Sequence, residues 1–184
     1  MPKVLKFKDD QYMFKGVTHT REIVRAVLLD ENNNVCLEKL VDDDGFGPRD
    51  YYETPGGGIK KGESHSDALH REIAEEVGYN CEILEHIADV HDYYNLIGRK
   101  NYNHFYLVKR LNKVEQHLEP DEVIRINKIV WVPIDEAIRL YEEMQNVLVG
   151  KIVKQRELPI LKMAKELIEN YEKDITTKVS KQSL

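Results

Sequence analysis

The chain has 184 residues, of which 41% are hydrophobic and 33% charged, and it carries a formal net charge of −6. That length suits one domain around one core, and the composition is that of a globular protein rather than a disordered one. The acidic balance gives no electrostatic basis for tracking a nucleic-acid polymer, and neither an apolar leader nor an apolar run of about 18 residues argues for secretion or a membrane span, so a cytoplasmic protein is the expectation.

The N-terminal stretch MPKVLKFKDDQYMFKGV lies outside the core pattern and reads as an additional strand segment. REIVRAVLLD (21–30) and VCLEKL (35–40) are β-branched and apolar, and the ENNN between them tolerates the positive φ of a tight turn, so the three pieces predict a β-hairpin. VDDDGFGPRD (41–50) reads as an exposed loop, after which YYETPGGGI (51–59) returns to strand character. Ala68, Leu69, Ile73 and Val77 share one face of a helix from Ser64 to Val77, with Ser64 as N-cap and Gly78 at the C-terminal position where a left-handed residue belongs.

CEILEHIADVHDYY (81–94) and KNYNHFYLVKR (100–110) predict two strands joined by a turn at LIGR, and IRINKIVWVPI (124–134) a third stopped by Pro133. IDEAIRLYEEMQ (134–145) and LPILKMAKELIENYEKD (158–174) are amphipathic helices, followed by the polar tail ITTKVSKQSL. A β-rich run enclosing one helix and closed by others points to an α/β/α sandwich around a mixed sheet. The expectation is one domain over 1–184, with a core of about 20–146 and a C-terminal helix of about 156–174. Cys36 and Cys81, with no CxxC or CxxH partner, read as reduced core thiols. His86, His91 and His104 match no zinc spacing and read as surface or packing residues.

Glu72, Glu75 and Glu76 stand three and four residues apart, so their carboxylates converge on one side of the helix. On a solvated face this repulsion costs only about 0.2–0.5 kcal/mol per pair. In a cleft with an effective dielectric near 20, two carboxylates about 4 Å apart repel by roughly 4 kcal/mol, and a cation or a retained proton becomes necessary. Hard oxygen ligands of this kind suit Mg²⁺ or Mn²⁺. The preceding TPGGGIKKGE supplies glycines that let backbone approach a ligand closely.

The stretch Gly57, five residues, Glu63, seven residues, then Arg71-Glu72-Ile73-Ala74-Glu75-Glu76-Val77-Gly78-Tyr79 resembles the Nudix box of the Nudix hydrolases, G-x5-E-x7-R-E-U-x-E-E-x-G-U. Only Tyr79 departs, standing where the pattern has a bulky aliphatic residue. The resemblance implies a loop-helix-loop motif in an α/β/α sandwich that hydrolyses a nucleoside diphosphate linked to another moiety. It makes Glu72, Glu75 and Glu76 ligands of Mg²⁺ or Mn²⁺ with the Gly57 carbonyl beside them, and Arg71 and Glu63 a supporting pair. The general base is either a box glutamate or a later acid, for which Glu119, Asp121 and Glu122 are available and Glu122 is preferred. A non-catalytic nucleotide sensor of the same fold is the competing reading, and three intact glutamates argue against it.

For the substrate, Arg25, Arg49, Arg99 and Lys100 are the candidate phosphate contacts and Tyr52 and Tyr93 the candidate stacking residues. Adjacent tyrosines in extended chain face opposite sides, so only half of Tyr51, Tyr52, Tyr93 and Tyr94 can line one pocket. Phe46 is a further aromatic in the loop. No proline lies between Gly78 and Pro120, which counts against the ADP-ribose branch of the resembling family. A small nucleotide-type substrate, such as a nucleoside triphosphate with or without a modified base, is the residual expectation, with a nucleotide sugar or dinucleotide polyphosphate as alternatives. The terminal segments leave a homodimer as an expectation.

Overall fold

The computed structural model of the chain describes residues 3–43 and 47–182, so the expectation placed on Phe46 lies outside the described residues. In chain order the elements are β1 (Val4–Lys6), β2 (His19–Leu29), β3 (Val35–Asp43), β4 (Pro48–Glu53), α1 (His65–Val77), β5 (Tyr79–Tyr94), a 3₁₀ turn (Asn95–Ile97), β6 (Arg99–Lys113), α2 (Pro120–Arg125), β7 (Ile126–Val132), α3 (Ile134–Glu143) and α4 (Leu148–Gln182). The strands make one mixed sheet in the order β1-β5-β6-β2-β3-β4, with β7 paired to β3; β1 with β5 and β6 with β2 run parallel and the other pairs antiparallel.

The predicted hairpin survives only at its turn. Asp30 Oδ1 accepts the backbone N–H groups of Asn32 and Asn34, and Asn33 takes a φ of 59°. Beyond that turn β2 and β3 share a single residue pair, Leu29 with Val35, and then part, β2 to lie along β6 and β3 between β4 and β7. The edge of β2 that this leaves open is satisfied by the segment after β4. Ala26 N–H donates to the Pro55 carbonyl, Val24 N–H to that of Gly57, and Ile59 N–H to that of Glu22, at 2.9–3.0 Å. An unpaired strand edge inside a domain is costly, and residues 55–59 satisfy it as an irregular extra strand. Gly56 takes a φ of +133° there, and a Cβ at that position would run into the Val24 carbonyl oxygen, so no side chain fits.

Alternation along β2 sorts the two cores. Val24, Ala26 and Leu28 face α1 and meet Leu69, Ile73 and Val77, together with the thiols of Cys36 and Cys81, both free and buried. Val27 and Leu29 face the other way and pack under Tyr141 of α3 and Ile160, Leu161 and Ala164 of α4. The result is helix, sheet and helix pair in three layers, the expected sandwich. Helix α1 starts at Ser64, whose Oγ accepts the Asp67 N–H at 3.1 Å, and ends at Gly78 with a φ of 77°.

Three boundaries differ from the sequence reading. The acidic stretch 41–50 is mostly paired backbone of β3 and β4, because the register Asp43 with Pro48 carries the ladder to its end. Ile124 and Arg125 are helical rather than extended, since Glu119 and Glu122 cap each other's backbone N–H groups and Pro120 stands in the first turn. Helix α4 runs from Leu148 to Gln182 and takes in much of the polar tail. Among the described residues no helix is long and apolar enough to cross a membrane.

Helix α4 is anchored by charge as well as by apolar packing. Glu157 is wholly buried and accepts hydrogen bonds from the Thr54 N–H at 2.8 Å and the Tyr141 hydroxyl at 2.7 Å. It also pairs with Arg156 at 2.7 Å. Removing one partner of a buried ion pair costs about 3–5 kcal/mol, so Glu157→Ala is expected to lose that much in urea unfolding, against about 1 kcal/mol for Tyr141→Phe. A Glu157→Ala loss no larger than that of Tyr141→Phe would show that the carboxylate is not the anchor.

Candidate active site

The segment that closes the edge of β2 also sets the acidic site. Glu76 Oε2 accepts the Gly56 N–H at 2.7 Å, and Gly57 lies so near Glu72 that an added Cβ would fall 2.6 Å from its carboxylate. Side chains on α1 one turn apart therefore meet the loop with no water layer between. Glu72 and Glu76 are as buried as the apolar stripe beside them, at 5% and 6% exposure. Glu122, from α2, completes the group: one ligand oxygen from each of Glu72, Glu76 and Glu122 lies within 4.8 Å of the others. Glu75 is outside this group of three but next to it, half-buried, with Oε2 accepting from Arg71 Nη1 at 3.2 Å, the same nitrogen that donates to Glu72.

Arg71 spends all of its guanidinium on this loop and helix. Its Nε and Nη2 donate to the two oxygens of Glu63 at 2.7 and 2.8 Å, Nη2 also to the Gly58 carbonyl at 3.0 Å, and Nη1 to Glu72 Oε1 at 2.7 Å. The fork geometry of this pair cannot be reproduced by lysine. The bonds from Arg71 hold the Glu63 carboxyl down at about 2.

Glu38, on β3, belongs to the same cleft and carried no recognised signal in the sequence beyond being a charge inside the apolar run VCLEKL. It is 3% exposed and feels the charges of Glu53, Glu122 and Glu76, with Arg25 as the opposing cation. Burial, reinforced by Glu53, pushes its carboxyl up to about 8. Burial also raises Glu76 well above the carboxylate range, reinforced by Glu38 and Glu72, and raises Glu72 to a lesser degree. A buried acid cluster of this kind retains protons or takes a cation.

The expected phosphate contacts Arg25, Arg49 and Arg99 come together in one pocket beside the acids. Lys100 does not join them, and lies 4.6 Å from the centre of the Tyr102 ring. Tyr52 is also elsewhere, under Lys39 at 4.5 Å, and Tyr93 packs edge-on against Phe14 at 5.9 Å. Their neighbours Tyr51 and Tyr94 take the pocket side, as strand alternation requires. Arg21, Glu53, Arg125 and Arg156 also line this region and were not singled out from the sequence; Arg21 was legible, since it shares a strand face with Arg25. Glu119 and Asp121 stay at the rim, Asp121 paired with Arg125. His86 and His104 are hydrogen-bonded to Asp89 at 2.9 and 2.8 Å, and His104 also to Glu22 at 2.8 Å.

The raised carboxyl of Glu38 has a consequence for stability. A carboxyl held higher in the fold than in the unfolded chain contributes stability below its ordinary value of 4.5 and loses it as the pH rises through about 8. In chelator, Glu38→Gln is expected to melt close to the wild-type temperature at pH 5 and above it at pH 8. A gap that does not widen between those two values, in melts followed by circular dichroism, would show that Glu38 is not held protonated.

Comparison with known proteins places this geometry. The NUDIX domain family model matches residues 19–149. A methanol dehydrogenase activator of Bacillus methanolicus is 30% identical over 154 residues, covering 77% of each chain. An RNA pyrophosphohydrolase of Teredinibacter turnerae is 38% identical over 68 residues, 37% of each chain. Among solved structures, a NUDIX hydrolase from Nitrosomonas europaea superposes with a TM-score of 0.60 at 16% identity, covering 82% of this chain and 90% of that one. With the family model spanning most of the chain and the acids of α1 gathered against its glycine loop, the chain belongs to the NUDIX family.

Proposed function

We propose that the chain hydrolyses the diphosphate bond of a nucleoside diphosphate linked to another group, with Mg²⁺ or Mn²⁺ as cofactor. The observation that carries this reading is the convergence of the buried carboxylates of Glu72 and Glu76 with Glu122 to within 4.8 Å. Glu72 and Glu76, desolvated acids whose proton affinity burial raises, fit a hard divalent cation, and this donor set, with an oxygen of Glu122 facing it, is all oxygen. Glu75, with Arg71 as its present partner, and the Gly57 carbonyl, one lone pair of which is taken by Val24 N–H, are the further ligands proposed.

When bound, such an ion supplies neutralisation of phosphate charge and a lowered pKa for water. The chain supplies the rest. Arg71 fixes Glu72 against Gly57 and Gly58, so the carboxylate is aimed before substrate arrives. Glu122 is the proposed base: one of its oxygens accepts the Glu119 N–H at 2.8 Å, which orients the other toward the cleft to take a proton from the attacking water. Arg21 and Arg125 stand on the open side of the acids, where developing charge on the phosphates needs neutralising.

The test is product identification over a nucleotide panel in Mg²⁺, Mn²⁺ or EDTA. Glu72→Gln and Glu122→Gln are each expected to lower kcat by on the order of 10²–10⁴-fold, with Mg²⁺ raising the melting temperature of the wild type but not of Glu72→Gln. Undiminished turnover in Glu72→Gln would sink the assignment.

A further inference from the structure

Next to the acidic cleft lies a pocket whose lining contains six arginines: Arg21 and Arg25 from β2, Arg49 from β4, Arg99 from β6, Arg125 from α2 and Arg156 from α4. In a chain of net charge −6, six guanidinium groups from five elements at one place are a departure from the overall balance. The carboxylates at hand neutralise only part of it. Among the described residues, Glu53 pairs with Arg25 at 2.5 Å and Arg156 at 2.6 Å, while Glu157 and Asp92 meet Arg156, at 2.7 and 3.6 Å. Arg125 has Asp121. Among the described residues neither Arg21 nor Arg99 has a carboxylate within ion-pair distance, and the Arg99 Nε is buried with no hydrogen-bond partner.

Strand register makes these groups a cluster. In the parallel pair β2 and β6, His19 lies opposite Arg99 and Arg21 opposite Asn101, so Arg99, Asn101 and Arg21 are neighbours on one face. Burial first, and then repulsion by neighbouring guanidinium groups, Arg25 for Arg21 and Arg21 for Arg99, lower the proton affinity of both arginines, a cost that a bound anion would relieve.

The pocket and the acidic cleft have Arg21, Arg25, Glu53 and Arg125 in common, so one ligand can reach both. A nucleobase would need an open ring face, and the tyrosines on this side, Tyr51 and Tyr94, are only 3% and 7% exposed. Val149, Ile152 and Val153 of α4 form a wall on the remaining side, which suits a small molecule better than a continuing polymer.

We propose that this pocket binds a second phosphate group of the substrate, one carried on a ribose beyond the diphosphate that is cleaved. The site thus selects nucleoside diphosphate derivatives bearing an extra phosphate monoester over their unphosphorylated counterparts. The inference rests on the hydrolase reading for where the diphosphate lies, but the pocket can be examined without turnover.

Two measurements test it. In EDTA, where no hydrolysis occurs, myo-inositol hexakisphosphate is expected to bind the wild-type chain in calorimetry. It should bind Arg21→Gln and Arg99→Gln at least tenfold more weakly, and Lys113→Gln, on the exposed end of β6, as tightly as the wild type. Melts of each variant without ligand separate lost binding from lost folding. Absent binding, or equal binding by all four proteins, overturns the pocket. In Mg²⁺, matched pairs that differ by one phosphate group are compared: ADP-ribose and its 2′-phosphate, dephospho-coenzyme A and coenzyme A, GTP and its 3′-monophosphate. The best substrate is expected to be a phosphorylated member with kcat/KM at least tenfold above its counterpart, the ratio falling toward one in Arg99→Gln. Ratios near one throughout, or faster turnover of a 5′-triphosphorylated RNA oligonucleotide, overturn the selectivity. No turnover of anything, with binding intact in EDTA, would remove the hydrolase reading and leave the anion pocket standing.

Discussion

The parting of β2 from β3 after a single residue pair is the constraint from which the site follows. It exposes a row of backbone groups on β2 in the middle of the domain, and burying them unpaired is not an available state. Residues 55–59 take up those groups, which draws the glycines to the base of the cleft and fixes the height at which α1 packs. Gly56 then offers its N–H to Glu76, and Gly57 leaves room for Glu72. The acids are held by the repair of a sheet, so their placement is as rigid as the sheet itself.

Charge is organised around that opening in two opposed blocks. Glu38, Glu72, Glu76 and Glu122 form the acidic one, and the arginines from five elements the basic one. Arg25 and Glu53 stand between them, with side chains 11% and 12% exposed and each in contact with the other. Buried charge of one sign is stable only beside its opposite or a ligand, so the two blocks make each other tolerable. Under the proposed function, a phosphate chain lies across the boundary with one end toward the cation that the acids would hold and the other toward guanidinium groups.

Much of this was legible before any coordinates. Alternation and capping gave α1 to the residue, from Ser64 to Gly78, because both ends use local chemistry that a sequence displays. Strand character was right for β5, β6 and β7, yet the hairpin of β2 and β3 hid their divergence, since periodicity records which faces are apolar and not which strand lies alongside. For the candidate site, the acids on α1 were visible through their spacing, whereas Glu38 and Glu53 were not. Each is a single charge in a strand, and only the fold turns it inward. The tyrosines show the same limit: two adjacent rings can be known to face opposite ways without knowing which one faces the pocket. Arg156 and Glu157 look like the solvated pair of an amphipathic helix until α4 is laid on the sheet.

The family match ends at residue 149, one residue after α4 begins, yet α4 supplies Arg156 to Glu53 and a wall to the arginine pocket. Part of the wall of the arginine pocket, Ile152, Val153 and Arg156, is thus built from chain that the matched domain does not include. During synthesis the carboxylates of α1 leave the ribosome long before Arg156 does, and Glu53 waits without one of its two partners until then. A nascent chain holds the acids early and gains the full charge balance of the pocket only when its last helix docks, so the pocket proposed to select substrates is completed after α1 itself.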